Sequence, residues 1–287
     1  MKIGTFIYDN TNHDKTCPGV VINQGVIDLT PFLAEHNIDD LKDLLAADLL
    51  HACASFVKNR SPDYHLNNIH FAPVIPNPGK IICVGINYHD HKVETNSPDF
   101  AYPLLFTRYP ESQVGHEQPM LKPRESDKLD YEGELAVIIG KAGRRIKQDT
   151  ALSHVAGYAC YNDGSVRDFQ RHTTQFFPGK NFVATGGFGP WMVTTEQIPD
   201  PSKLTLKTRV NGQTEQSSET KLMINSIPVL IEYISTVLHL NPGDVIVSGT
   251  PGGVGVKREP RLFMFENDTI EVEISNIGIL RNTIQND

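Results

Sequence analysis

Residues 129–140 read Leu-Asp-Tyr-Glu-Gly-Glu-Leu-Ala-Val-Ile-Ile-Gly, and the run Glu134 to Gly140 decides the fold. It is apolar, rich in branched residues, too short for an ordinary helix and closed by glycine, which is the pattern of a buried strand. Working outward, 203–210 (KLTLKTRV) alternates apolar and polar residues and is followed by Asn211-Gly212, a strong hairpin signal. The stretch 269–282 (TIEVEISNIGILRN) alternates again, and 81–86 (IICVGI) is a short apolar run. One clear helix interrupts the strands. In 226–240 (SIPVLIEYISTVLHL), Ile227, Leu230, Ile231, Ile234, Val237 and Leu238 recur at helical spacing, and Asn241-Pro242-Gly243 stops it. Strands dominate, and the strand–helix alternation of a barrel or Rossmann sheet is missing. The expected class is a strand-rich α+β protein.

The first 75 residues read differently. KIGTFIY and GVVIN are short strand-like runs around Asn10 and Gly25. Then 39–56 (DDLKDLLAADLLHACASF) places Leu41, Leu44, Leu45, Leu49 and Ala52 on one helical face. A joint with Pro73, Pro76 and Pro78 follows, unsuited to a helix interior or a central strand. The expected division is a small N-terminal α/β domain, 1–75, and a catalytic domain, 76–287.

A net charge of -8 offers no basic stripe for nucleic acid. No apolar run approaches the roughly 20 residues that cross a bilayer. The first residues lack a secretory pattern, so the cytoplasm is the expected compartment. Cys17, Cys53, Cys83 and Cys160 form no CxxC pair and read as buried free thiols.

Five constellations carry chemistry. In Asp130-Tyr131-Glu132-Gly133-Glu134 the period of a strand puts Glu132 and Glu134 on one face. Two such carboxylates beside a buried strand repel unless a cation lies between them, and a hard divalent ion is the economical one. Alone, such a pair is more often two solvated glutamates. In 161–170 (YNDGSVRDFQ) Asp163 is a candidate third carboxylate. Arg167 and Gln170, on one helical face, can present a guanidinium and an amide to a substrate carboxylate. In 84–94 (VGINYHDHKVE) His91 and Glu94 are three apart, so on a helical turn the carboxylate can orient the imidazole as a general base. The HxH of His89 and His91 also suits a metallohydrolase, but that arrangement prefers a barrel strand end. Lys180, in 177–182 (FPGKNF), can stabilise an enolate. Last, 242–255 (PGDVIVSGTPGGVG) matches neither a P-loop nor a dinucleotide fingerprint, yet its amides and the Thr250 hydroxyl can cradle a carboxylate.

In order and content these stretches resemble the fumarylacetoacetate hydrolase superfamily. The matching segments are VGINYHDHKVE, PLLFTR, LDYEGELAVIIGK, GYACYNDGSVRDFQ, GKNF with GPW, LNPGDVIVSGTPGGVGV and FENDTIEVEISNIGILRN. The resemblance implies the family's mixed β-sandwich roll, usually a homodimer, with Glu132, Glu134 and Asp163 holding Mg²⁺ or Mn²⁺. It implies His91 and Glu94 as the proton-moving dyad and Lys180 beside them. Arg167, Gln170, Thr250 and Arg108 would line the site of a small carboxylate substrate. Many members carry lysine where Arg108 stands, and after GKNF, Val183 and Gly187 replace the usual aspartate and proline-containing run. The implied activities are C–C hydrolysis of an acylpyruvate or isomerisation of a 2-hydroxydienoate in aromatic catabolism. The alternatives are an oxaloacetate-type decarboxylase and a catalytically idle metal binder, the latter disfavoured because every metal and dyad position is intact. The polar, proline-broken stretch 89–103 suits a loop closing over substrate.

Overall fold

The computed structural model describes residues 1–8, 16–23 and 25–287; Asn10 lies outside them. The strand Gly133–Ile139 is buried at every position. Leu135, Val137 and Ile139 enter one core, and Ala136 and Ile138 enter another. A strand covered on both faces has no polar side to alternate with, which is why its sequence is continuously apolar. It pairs antiparallel with Val155–Asn162 and with Val245–Val247. Val245–Val247 runs parallel to Ile81–Gly85, so the large sheet is mixed.

The second sheet supplies the cover for one face. Its five strands run in the order Gln213–Glu219, Thr205–Val210, Thr269–Ile274, Gly278–Asn286 and Met120–Lys122. Leu206, Val272, Ile274 and Leu280 meet Leu135 and Val137, joined by Leu230, Ile231 and Ile234 of the helix Ile227–Val237. Burying each of those helix side chains contributes about 1.5–3 kcal/mol. The expected hairpin forms, with Asn211 and Gly212 both at positive φ (50° and 79°), as its turn chemistry requires. All four cysteines are free and buried, and no helix among the described residues is long and apolar enough to cross a membrane.

One expectation changes. The segment 39–56 is not one helix but two, Leu41–Ala46 and Leu50–Val57, broken where Asp48 turns left-handed (φ 56°). Residue 75 lies in the connection between Ile69–Phe71 and Ile81–Gly85, and the segments on either side of it contribute to one sheet and one core. Lys2 and Ile3 pair with Val193 and Met192, and Phe32, Leu33, Leu41 and Leu44 pack on the same cluster as Ala136 and Ile138.

His116 lies where the N-terminal segment meets the last strand. Its ring sits edge-on to Phe71 (4.7 Å), and its Nδ1 accepts a hydrogen bond from the Arg281 amide (3.0 Å). Burial, helped by the Arg281 charge, pushes its pKa down from 6.5 to about 4. Between those values the unfolded chain holds a proton the folded chain refuses. Stability is therefore complete above pH 6.5 and falls by up to about 3 kcal/mol as pH drops toward 4. Urea unfolding of His116→Asn across this window should show a flatter pH dependence than the parent protein.

Candidate active site

The strand Gly133–Ile139 begins between its two glutamates. A Cβ on Gly133 would stand 2.0 Å from Thr208 Oγ1 of the second sheet, so only glycine lets the backbone press there. Glu132 and Glu134 project to one side, as strand period dictates. On the neighbouring strand Gly133 faces Asn162, and the Asp163 amide donates to the Glu132 carbonyl (2.8 Å). This pairing brings Asp163 level with the glutamates. One oxygen from each of Glu132, Glu134 and Asp163 lies within 4.8 Å of the others, and all three residues are buried.

Three cations surround this triad. Lys180 Nζ contacts Glu132 Oε2 (2.7 Å) and Asp163 Oδ2 (2.6 Å). Arg167 contacts Asp130 (2.7 Å) and Glu132 (2.6 Å), and Arg108 contacts Asp163 Oδ1 (2.7 Å). Burial alone would raise the Glu132 carboxyl, but Lys180 and Arg167 outweigh it and hold it below the usual range. Glu134 accepts from the Gly249 amide and, among the described residues, touches no cation. Burial and the nearby Asp163 and Glu132 charges push it well above the usual range. Counting Asp130, four carboxylates face three cations. A divalent ion among the three hard oxygen donors would offset the carboxylate charges that crowd Glu134, so the residues fit such an ion.

The dyad stands on the helix His89–Thr95. His91 Nδ1 is 2.7 Å from Glu94 Oε1, and Glu94 Oε2 accepts from the Gly253 amide (2.8 Å). Burial works against the Glu94 charge, but the His91 and Gly253 bonds win and hold its pKa low. An ionised Glu94 can only accept, so Nδ1 carries the hydrogen and Nε2 is the free basic nitrogen.

His91, Glu132, Glu134, Lys180, Arg167, Gln170 and Thr250 all line one open-mouthed cavity of about 170 Å³, with Phe106 and Phe176 among its apolar walls. Of the anticipated substrate contacts, Arg167 keeps its Nη2 buried and without a partner. Gln170 accepts from Arg167 Nη1 with its oxygen (3.0 Å), leaving its amide NH₂ to donate. The Thr250 hydroxyl is committed to the Gly133 carbonyl (3.0 Å) and accepts from Gln216 (2.8 Å). Arg108 does not belong to the substrate contacts. Its side chain has no exposed surface and lies behind Asp163, bonded also to Gly164 O, Ser112 and Thr185. It fixes a carboxylate and is not among the residues that line the cavity.

Other participants carried little sequence signal. Asp130 accepts from the Tyr131, Gly255 and Val256 amides (2.8–2.9 Å) as well as from Arg167. Gln216, in a polar hairpin strand, takes the Gly133 amide (2.9 Å) and donates to Thr250 and to the Pro251 carbonyl. Asp130 heads the glutamate motif, but apart from the adjacent Tyr131 amide its partners are more than 30 residues away, and only the fold reveals them.

Together these features define a strand-rich enzyme scaffold bearing a three-carboxylate centre and a His–Glu dyad in one pocket. The chain belongs to the fumarylacetoacetate hydrolase family: residues 80–285 match the family model described as fumarylacetoacetate (FAA) hydrolase C-terminal. It is 43% identical over 227 residues to oxaloacetate tautomerase YisK of Bacillus subtilis, covering 77% of this chain and 75% of that one. The crystal structure of a putative HpcE protein from Mycobacterium smegmatis superposes with a TM-score of 0.88 at 30% identity, covering 100% of this chain and 99% of that one. A maleylpyruvate hydrolase from Sphingobium sp. SYK-6, solved with manganese(II) and pyruvate, gives 0.81 at 26% identity, covering 100% and 99%.

Two outcomes follow from this charge arrangement. Arg108→Met strands the buried Asp163 charge and should cost about 3–5 kcal/mol in urea unfolding, whereas exposed Arg171→Met should stay within about 0.5 kcal/mol. Manganese at a hundredfold its dissociation constant should stabilise the protein by about 2.7 kcal/mol. Differential scanning calorimetry would register a rise of several degrees in Tm, lost in Glu134→Gln.

Proposed function

We propose that this protein catalyses keto–enol tautomerisation of a small 2-oxo carboxylate of the oxaloacetate type, with Mg²⁺ or Mn²⁺ held by Glu132, Glu134 and Asp163. The observation that carries the reading is the meeting, at one small cavity, of Glu132 and Glu134 of the buried triad, the His91 imidazole oriented by Glu94, and Arg167, whose Nη2 has no partner among the described residues. The 43% identity to an oxaloacetate tautomerase supports the choice of reaction, and the manganese complex of the Sphingobium hydrolase supports the choice of metal. Fold alone does not choose among the family's chemistries.

Arg167 Nη2 and the Gln170 amide bind the substrate's C1 carboxylate, a planar guanidinium suiting that geometry. When bound, a divalent cation supplies Lewis acidity at the 2-oxo group, which acidifies the adjacent C3 hydrogens. His91 Nε2 takes a proton from C3, with Glu94 stabilising the imidazolium, and returns it to the enol oxygen; the reverse path restores the ketone. One C–H bond breaks and one O–H bond forms, so no water or co-reactant is consumed. Phe106, Phe176 and Val254 line the cavity and limit the water that could compete for the proton.

Hydrolysis of an acylpyruvate, in which the same dyad would activate water, is the second reading, favoured by the 26% identity to a maleylpyruvate hydrolase. The deciding assay follows enol oxaloacetate by its ultraviolet absorbance while pyruvate is quantified in parallel. Tautomerisation predicts metal-dependent acceleration with oxaloacetate conserved, and a 10²–10⁴-fold fall in kcat for His91→Ala. Stoichiometric pyruvate would replace the reading with decarboxylation. Turnover confined to acylpyruvates, giving two acids, would replace it with hydrolysis.

A further inference from the structure

The cavity wall carries Arg167, Arg171, Lys180 and Lys257 against only two carboxylates, Glu132 and Glu134, in a protein whose net charge is -8. The two deep cations are engaged: Lys180 by Glu132 and Asp163, Arg167 by Asp130 and Glu132. The other two are not. Arg171 and Lys257 are exposed, and among the described residues neither side chain has a hydrogen bond or ion pair. Nearby cations do find acids, Lys92 with Asp99 and Arg258 with Glu215.

Their placement is organised. Arg171 caps the short helix Arg167–Gln170, so it follows Arg167 by about one turn, roughly 5 Å toward solvent. Lys257 ends the turn Gly255–Lys257, whose Gly255 and Val256 amides are fastened to Asp130, the carboxylate that also holds Arg167. One buried aspartate therefore fixes the anchor of the inner carboxylate and the base of the outer cation. Apolar Val254, Val256 and Phe106 share the wall with them. The terminal carboxyl carbons of a four-carbon diacid are about 4 Å apart along three single bonds, comparable to one helical turn.

We propose that Arg171 and Lys257 form an outer anion subsite that receives the distal carboxylate of a 2-oxo dicarboxylate and selects it over monocarboxylates of equal length. This deepens the tautomerase reading and rests on it for the substrate's orientation, with C1 at Arg167. The subsite is open to water, so it confers a moderate preference of about tenfold that salt weakens.

The test measures binding and turnover separately. Calorimetry on the manganese-loaded protein compares malate with 2-hydroxybutanoate, which have the same chain length, lack the oxo group, and differ in the distal carboxylate. The proposal expects malate to bind about tenfold more tightly. That preference should shrink to within about threefold in Arg171→Ala/Lys257→Ala and in 0.5 M salt, and survive in Arg171→Lys/Lys257→Arg. In turnover, the ratio of kcat/KM for oxaloacetate over 2,4-dioxopentanoate should fall about tenfold in the double alanine variant, through KM. Equal or undetectable binding of the two hydroxy acids by the parent protein, or an unchanged preference in the alanine variant, overturns the subsite. A malate preference that obeys these rules in a protein that does not tautomerise oxaloacetate leaves the subsite standing and removes only the assigned reaction.

Discussion

Four carboxylates and three cations buried at one end of the central sheet impose the constraint on which the rest of the structure depends. Asp130, Glu132, Glu134 and Asp163 bring four carboxylates together beside Arg108, Arg167 and Lys180. The imbalance concentrates on Glu134, the member with no cation in contact. A buried charge without a partner is expensive, and a positive ion held by Glu132, Glu134 and Asp163 would offset that cost. Arg108 and Lys180 hold Asp163 from two sides, and the Asn162 side chain takes the Glu132 amide (3.0 Å).

The turn 249–256 links this cluster to everything else that works in the pocket. Its amides bond Glu134 through Gly249, Glu94 through Gly253, and Asp130 through Gly255 and Val256. Glu134 of the triad, the dyad and the support of Arg167 thus hang on eight consecutive residues. Gly253 adopts φ +101°, and a Cβ there would stand 2.3 Å from the Glu215 carbonyl, so the glycine density of this stretch reflects close backbone packing. It does not resemble a phosphate cradle. Gln216 ties the same turn to the second sheet, and the sandwich therefore holds the pocket's rim as well as the core.

Much of this was legible in the sequence. The continuous apolar run after Glu134, the Asn211-Gly212 hairpin and the helix at 227–237 depend on neighbours within a few residues, and local pattern reports local structure well. The Glu132/Glu134 and His91/Glu94 pairs were readable for the same reason, because strand and helix periods bring residues two or three apart onto one face. Arg108 was misread. Its family position suggested a ligand contact, but burial behind Asp163 is a property of strands 55 residues apart in sequence. The helix over 39–56 was overextended because apolar spacing does not reveal a single left-handed residue at Asp48.

By itself the sequence determined which residue types sit on which face of each strand and helix, and hence which carboxylates and which imidazole could act as units. Only the tertiary structure decided that these units meet at one cavity, that Asp130 and Gln216 support them, and that Arg171 and Lys257 stand on its wall without a side-chain partner among the described residues. The physical reason is range. Side-chain period is set by backbone geometry over a few residues, whereas burial, charge balance and the choice of hydrogen-bond partner depend on segments that meet only when the two sheets close on a common core.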